Sequence, residues 1–416
     1  VEIERGQIVG VMSRKEHGLG LRAVYNNAIG FAYTTILDEK SITETVERAV
    51  KFAKTNKPDE NWPGFPSPKG FPSVENIYDK RITEMSPQEL ISNASLMLET
   101  ATAYDRRVLP IGGAVQASYI CQAIVNSSGV EAWDIGTGIG CYLVTIAREG
   151  SEVTPVCFEY NAERIFKVDP EWVGREAARI AVSLLKARKI ESGKYTLILN
   201  EVALASLLYY TLISAIKADA VQREQSALKG KIGQKVASEI LTIQDDGRLK
   251  GGLNSSKFDG EGVPTQRTLL IEKGVLKNFL YDSYTAKKDG VESTGNSYRG
   301  GLTAYMTTPT LEATNFVIST GNSSKEQLIE EVEDGLLVFG VQGAHSSNPA
   351  TGEFSVVATP AWKVEKGEIA YPVKGAMLAG SIYEALENVS ALGREPRKIE
   401  KLVSPWIRIE NVRVVG

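Results

Sequence analysis

Between Val115 and Val125 apolar residues alternate with mostly polar ones: Val115, Ala117, Tyr119, Cys121, Ala123 and Val125 fall on one face. Side chains of an extended strand point alternately to opposite faces, so this period predicts a strand with one buried side. Asn126 to Gly129 is turn chemistry, and strand-like runs return over Glu131 to Ala147 and Glu152 to Tyr160. Together they predict an antiparallel meander. That meander constrains the fold more than any other stretch.

The segments around it come in blocks. Val1 to Thr35 reads as strands and hairpins, with Glu4-Arg5-Gly6-Gln7 and Asn26-Asn27 as turns. Val1 already reads as part of a strand and is not a methionine, which suggests that residues precede it. Ser41 opens a helix with Glu44 in capping-box position, and Ile42, Val46, Ala49, Val50 and Ala53 form its apolar face. Residues 57–73 carry Pro58, Pro63, Pro66, Pro68 and Pro72 with Trp62, Phe65 and Phe71. Proline removes amide donors, so this strap is neither helix nor inner strand; it reads as a linker packed on its own domain. Ser86-Pro87-Gln88-Glu89 starts a helix to about Tyr104, and Asp169-Pro170 starts another ending near Lys189.

Beyond residue 190 a strand over Tyr195 to Leu199 leads into a helix from Glu201. Strands follow at Thr268–Ile271, Val275–Tyr281, Leu302–Met306, Phe354–Ala358, Ala361–Val364, Ile369–Val373 and Trp406–Val415, with a helix from Lys325 to Asp334 stopped by Gly335. Blocks rather than strict alternation favour α+β over a doubly wound sheet. The expectation is two domains: residues 1–190, an antiparallel sheet with helices, and residues 191–416, rich in β-structure.

Composition removes several function classes. The formal net charge is −4, which disfavours a phosphate backbone as partner. The longest uncharged apolar run, Val202 to Ile216, falls short of the ~20 residues a membrane span needs. Three scattered cysteines, Cys121, Cys141 and Cys157, suit free thiols in a reducing cytoplasm. Cys121 is expected on the buried face of its strand.

Candidate chemistry is sparse. Gly136-Thr137-Gly138-Ile139-Gly140 lacks the third glycine of a dinucleotide loop, since Cys141 stands there, and it lies inside the meander. Asp245-Asp246-Gly247 and Asp259-Gly260-Glu261-Gly262 bring four carboxylates close in sequence. Paired carboxylates can do acid–base work or hold a hard cation, but Asp-Gly is also common turn chemistry. His345, one of two histidines, sits in the polar loop Gly343 to Pro349, where a structural hydrogen bond is the plainer reading and a peptide contact the sharper one.

An ordered series of blocks resembles the TldD/PmbA family, also called modulators of DNA gyrase. They are Gly18-Leu19-Gly20-Leu21-Arg22 with Gly30-Phe31-Ala32, Gly230 to Ser238, Asp245-Asp246-Gly247, Asp259 to Gln266, Ser293 to Asn296, Thr314-Asn315, Thr351 to Ser355 and Ser404 to Gly416. The resemblance implies one of two branches. TldD-type chains are zinc metallopeptidase subunits with an HExxxH helix and a later cysteine ligand; PmbA or TldE-type chains partner them and lack these ligands.

Anchored on Ala218-Asp219, the motif positions hold Tyr209, Tyr210 and Ser214, and no cysteine follows Cys157. A phenol with an ordinary pKa near 10 and a hydroxyl are poor zinc ligands, and a catalytic zinc takes about three protein donors. Ligands five apart on a regular helix also point about 140° from each other. The family pattern puts glycine before the second histidine to widen the turn; here stiff Ile213 stands there. The resemblance therefore implies a degenerate site on a helix spanning 201–218, its tyrosines filling the place of the metal. It implies no cofactor in this chain, zinc in a TldD-like partner, a cytoplasmic heterodimer acting on small, modified or unfolded peptides, and cavity or interface contacts from Asp259, Glu261 and His345. Self-association of the chain alone stays open. Two rivals remain: an independent hydrolase using Asp245, Asp246, Asp259 and Glu261, and a binding protein that modulates gyrase.

Overall fold

A computed structural model describes residues 1–301 and 303–416. Strands β1 (Glu2–Glu4), β2 (Gln7–Gly10), β5 (Val108–Val125), β6 (Glu131–Glu149), β7 (Glu152–Val153) and β8 (Cys157–Glu163) form one antiparallel sheet in the order β2-β1-β5-β6-β7, with β8 also on β6. The predicted meander is its spine. β5 and β6 pair from Val108↔Ala147 out to Val125↔Glu131. Asn126 closes their turn: its Oδ1 accepts the amides of Ser128 at 2.9 Å and Val130 at 3.1 Å.

β3 (Leu19–Tyr25) and β4 (Ala28–Thr34) make a separate hairpin. Asn26 and Asn27 take φ of 48° and 61°, the left-handed pair a two-residue hairpin turn needs. Helix α1 (Glu39–Thr55) lies on the hairpin at Gly30, where any Cβ would collide with the Ala49 carbonyl. The cap of α1 is Asp38, whose carboxylate accepts the Ser41 amide at 2.7 Å, and not Ser41 as expected. A carboxylate three residues earlier also complements the helix dipole, so the helix starts there. After the short α2 (Lys80–Thr83), α3 (Pro87–Tyr104) carries the predicted Ser86/Glu89 capping box.

Helices α3 and α4 (Pro170–Ser183) cover the inner half of the sheet, burying Met97, Ala101, Val115, Leu143, Val173 and Ala177. They do not reach the outer half of β5. There Tyr119 is 53% exposed, Ile120 54% and Val125 73%, and Cys121 is also exposed, so the buried face expected for this strand stops near Val115. Helix α4 ends at Ser183 rather than near Lys189; the turn after it is held by the Lys186 amide on Glu152 Oε1 at 2.7 Å.

In the second half, β9 (Gly193–Leu199) sits inside a nine-stranded sheet between Ile407–Val415, antiparallel, and Asp334–Val338, parallel. The parallel neighbour overturns a sequence expectation. The helix from Lys325 stops at Glu330, and Gly335 lies inside a strand, where a Cβ would crowd the Thr196 carbonyl. Leu336, Leu337 and Val338 are buried on both faces, which leaves the strand no alternation to read. Ile243–Asp246 and Phe316–Ile318 centre a second, six-stranded sheet. Of the strand expected over Val275–Tyr281 only Val275–Leu276 is strand, and Leu280 makes an isolated bridge to Lys217. The strand expected from Leu302 begins outside the described residues, and Ala304–Met306 is a single 3-10 turn. Helices Ser283–Asp289 and Ile382–Glu387 were not anticipated.

The architecture is α+β with a β-rich C-terminal part. Its halves share a core in which Ala147, Cys157, Ile180 and Leu184 meet Ile198, Leu328, Trp362 and Trp406. The proline strap is stitched to both: Asn126 Nδ2 donates to the Pro66 carbonyl at 2.9 Å and Lys287 Nζ to that of Trp62 at 2.6 Å.

Candidate functional site

Asn200 caps α5 (Glu201–Tyr209) by accepting the Ala203 amide at 2.9 Å, and the helix buries Ala203, Leu204, Leu207 and Leu208. The helix expected over 201–218 is not continuous. It breaks at Tyr210 and Thr211, whose φ and ψ are −124° and −92°, and resumes as α6 (Leu212–Ala215). Two hydroxyls take up the freed carbonyls: Thr211 Oγ1 donates to Leu207 O at 2.7 Å and Ser214 Oγ to Tyr209 O at 2.9 Å. The second bond reaches five residues back. The helix is broken here rather than widened: the backbone bond at the break, Thr211 N to Leu208 O at 3.2 Å, spans three residues, and Ile213, 2% exposed, packs into the core.

The break brings three predicted positions together. Tyr209 and Tyr210 stack edge to face with centroids 5.0 Å apart, and His345 lies 6.5 Å from Tyr210 at 76°. His345 arrives on a 3-10 turn, Ala344–Ser346, aimed by Gly343 at φ 90°. The tyrosines are 39% and 38% exposed and line an open face; they do not fill a buried void. One imidazole, two phenols and a hydroxyl are not a zinc donor set, and among the described residues no cluster of three or more His, Cys, Asp or Glu could hold a metal.

The acidic loops are elsewhere and inward-facing. Asp245 accepts from Thr314 N at 2.8 Å, Thr314 Oγ1 at 2.7 Å and Asn296 Nδ2 at 2.7 Å. Asp246 binds the Arg248 amide and Arg267 Nε, both at 2.9 Å. Asp259 folds its own loop by accepting the amides of Glu261 and Val263 at 2.9 Å, and that of Ser297 at 3.0 Å. These are turn and tether roles.

Glu261 faces Arg22, both guanidinium ends at 3.4 Å, and accepts the Ser283 amide at 3.1 Å. Arg22 in turn lies 4.9 Å from the Trp62 ring and 5.4 Å from Phe65. The Gly-Leu-Gly-Leu-Arg block thus joins hairpin, strap and C-terminal half. Its Gly18 and Gly20 leave room for Tyr305, against which any Cβ would collide. Sequence reasoning quoted Arg22 without a role; an arginine following glycines that admit another segment was the available signal.

Burial pushes the Asp245 carboxyl up to about 6, and burial together with Glu261 pushes Asp259 up to about 7. The folded chain holds these protons more tightly than the unfolded chain, whose Asp groups titrate near 4. Their stabilisation is complete below about pH 4 and is lost as pH rises through about 6 and about 7. The urea midpoint should therefore be higher at pH 5 than at pH 8, and Asp259→Asn should flatten that slope. A parent midpoint flat over this window would refute the assignment.

Family models match nearly end to end: PmbA/TldA metallopeptidase domain 1 over residues 1–53, the central domain over 80–185 and the C-terminal domain over 192–416. The chain belongs to the PmbA/TldD family. The PmbA/TldD fold here superposes on the crystal structure of TldE from Thermococcus kodakarensis with a TM-score of 0.94, at 32% identity, covering 100% of this chain and 93% of that one. A Thermotoga maritima structure, described as a candidate modulator of a DNA gyrase, gives 0.90 at 28% identity, covering 100% and 92%. Metalloprotease PmbA of Escherichia coli O157:H7 is 29% identical over 100% of this chain and 89% of its own length. A TldD homologue of Buchnera aphidicola is 26% identical over 96% and 86%.

Proposed function

We propose that this chain is a TldE-type subunit, not itself hydrolytic, of a two-chain metallopeptidase acting on small, modified or unfolded peptides in the cytoplasm. The observation that carries the reading is the replacement of the motif positions by Tyr209, Tyr210 and Ser214 on an otherwise intact PmbA/TldD fold. The side-chain chemistry supports it: two phenols and a hydroxyl, the last spent on the Tyr209 carbonyl, are wrong for zinc. The subunit's task is then to shape and dry the space facing the metal of a TldD-like partner, which strengthens electrostatics there. Tyr209, Tyr210 and His345 form the face offered to that space, while Asp259 and Glu261 brace their own loop and its contacts to Ser297, Arg22 and Ser283. Among the described residues no helix is long and apolar enough to cross a membrane.

Zinc content and cleavage of casein or a fluorogenic peptide test this, with the chain alone and mixed with a TldD-like chain. Substoichiometric zinc, no cleavage alone and cleavage in the mixture are expected. Stoichiometric zinc with turnover by the single chain would reject the reading. In the mixture, Tyr210→Ala should raise KM before it lowers kcat, because an enclosing ring positions peptide without touching the reacting bond.

A further inference from the structure

A second feature lies at the other end of α5 from Tyr209, about 12 Å along a nine-residue helix. Here α4 meets the C-terminal sheet and leaves a cavity of about 350 Å³, walled by Leu337, Phe339, Trp362, Tyr371 and Trp406. Its size falls at the low end of cavities that hold small ligands, ~300–1,000 Å³, and such sites favour seams between domains. Phe339 stands edge-on to Trp362 at 5.0 Å and to Trp406 at 5.3 Å.

The polar atoms decide the ligand class. Both indole N–H groups are already used: Trp362 Nε1 donates to Ser183 O at 3.3 Å and Trp406 Nε1 to Glu201 Oε2 at 3.1 Å. The wall therefore offers carbon and ring faces, which suit an uncharged tail. Charge sits at the rim. Arg179 lines the cavity, with Nε on both Glu176 oxygens at 3.1 and 3.0 Å and Nη1 outside that pair. Arg188 lies 5.1 Å from the Tyr371 ring, and its amide is held by Pro372 O at 2.9 Å. Glu176 engages Nε and Nη2 of Arg179 and leaves its Nη1 for a ligand, while Arg188 beside Tyr371 adds a second positive charge that keeps the neighbourhood cationic. We propose that this cavity binds a small amphipathic carboxylate, its single apolar tail among Phe339, Trp362 and Trp406 and its head on Arg179. The site is independent of the peptidase partnership.

Titration of the purified chain with decanoate, read by tryptophan fluorescence, tests it, with decylamine as the cationic control. Decanoate should give a saturable change that Trp406→Phe reduces. Ala370→Trp, at an exposed lining position, should fill the cavity and raise the Kd at least about tenfold, and Arg179→Gln about tenfold, with unfolding temperatures near the parent's. No saturable response, equal binding by Ala370→Trp, or decylamine binding as tightly as decanoate would each overturn the proposal.

Discussion

Arg164→Ala should lower the melting temperature by roughly 3–6 °C, from a loss of ~3–5 kcal/mol at about 1 °C per kcal/mol in a chain of this size. Arg164 joins three segments with one guanidinium. Nε donates to Thr137 O at 2.6 Å, Nη1 to Leu253 O and Ser255 O at 3.1 Å, and Nη2 to Ile77 O at 3.0 Å. Truncation takes a donor from four carbonyls at the seam, of which Ile77 O keeps the Thr137 amide at 2.9 Å, and each acceptor left unpaired costs its desolvation. Lysine carries one compact ammonium in place of the planar fork, so Arg164→Lys should recover only part. Gly136 is the seat of this fork: a Cβ there would collide with Nη2, so Gly136→Ala should reproduce part of the loss. Thermal unfolding by circular dichroism checks all three. A melt for Arg164→Ala within about 1 °C of the parent, the shift ~1 kcal/mol produces, would show the staple to be unimportant.

Arg397→Ala should cost about as much, ~3–5 kcal/mol, for a different reason. Arg397 pairs through Nη2 with Glu159, which is 4% exposed, and with the Tyr160 carbonyl. Its guanidinium also lies 4.8 Å from the Trp172 ring. Removing the arginine leaves a buried carboxylate held by its neighbouring Tyr160 amide at 2.9 Å, and an uncompensated buried charge is the expensive outcome. The double variant Glu159→Leu/Arg397→Met should regain most of the stability, because it removes the stranded charge with the ion pair. Urea unfolding of the parent, Glu159→Leu, Arg397→Met and the double variant gives the coupling. A double variant no more stable than Arg397→Ala would place the loss in packing against Trp172 instead.

Much of the fold was legible where the signal was local. The Ser86/Glu89 box, the Asn26-Asn27 turn and the β5–β6 hairpin turn are set by neighbours a few residues away, and the structure keeps each. The strand Asp334–Val338 was not legible, because burial on both faces erases its period and Gly335 imitates a helix stop. Cys121 was misplaced because alternation says that a strand has two faces, not that anything covers one of them. The candidate face divides the same way. That Tyr209, Tyr210 and Ser214 offer phenols and a hydroxyl, not imidazole or carboxylate, is written in the side chains themselves. The break at Thr211 is not, because it depends on the Thr211 and Ser214 hydroxyls taking carbonyls that a regular helix would use.

Taken alone, the chain determines its chemistry: which donors it owns, where its turns and caps lie, and which family its ordered blocks match. Only the tertiary structure decided what those groups face. It turned the Asp245 and Asp259 loops inward as tethers, made Gly136 the seat of an arginine, and set His345 beside Tyr210. The physical reason is range. Capping and turn geometry act over three or four residues, whereas burial, hydrogen-bond partners and shared cavities join residues whose nearness exists only after the sheets have packed.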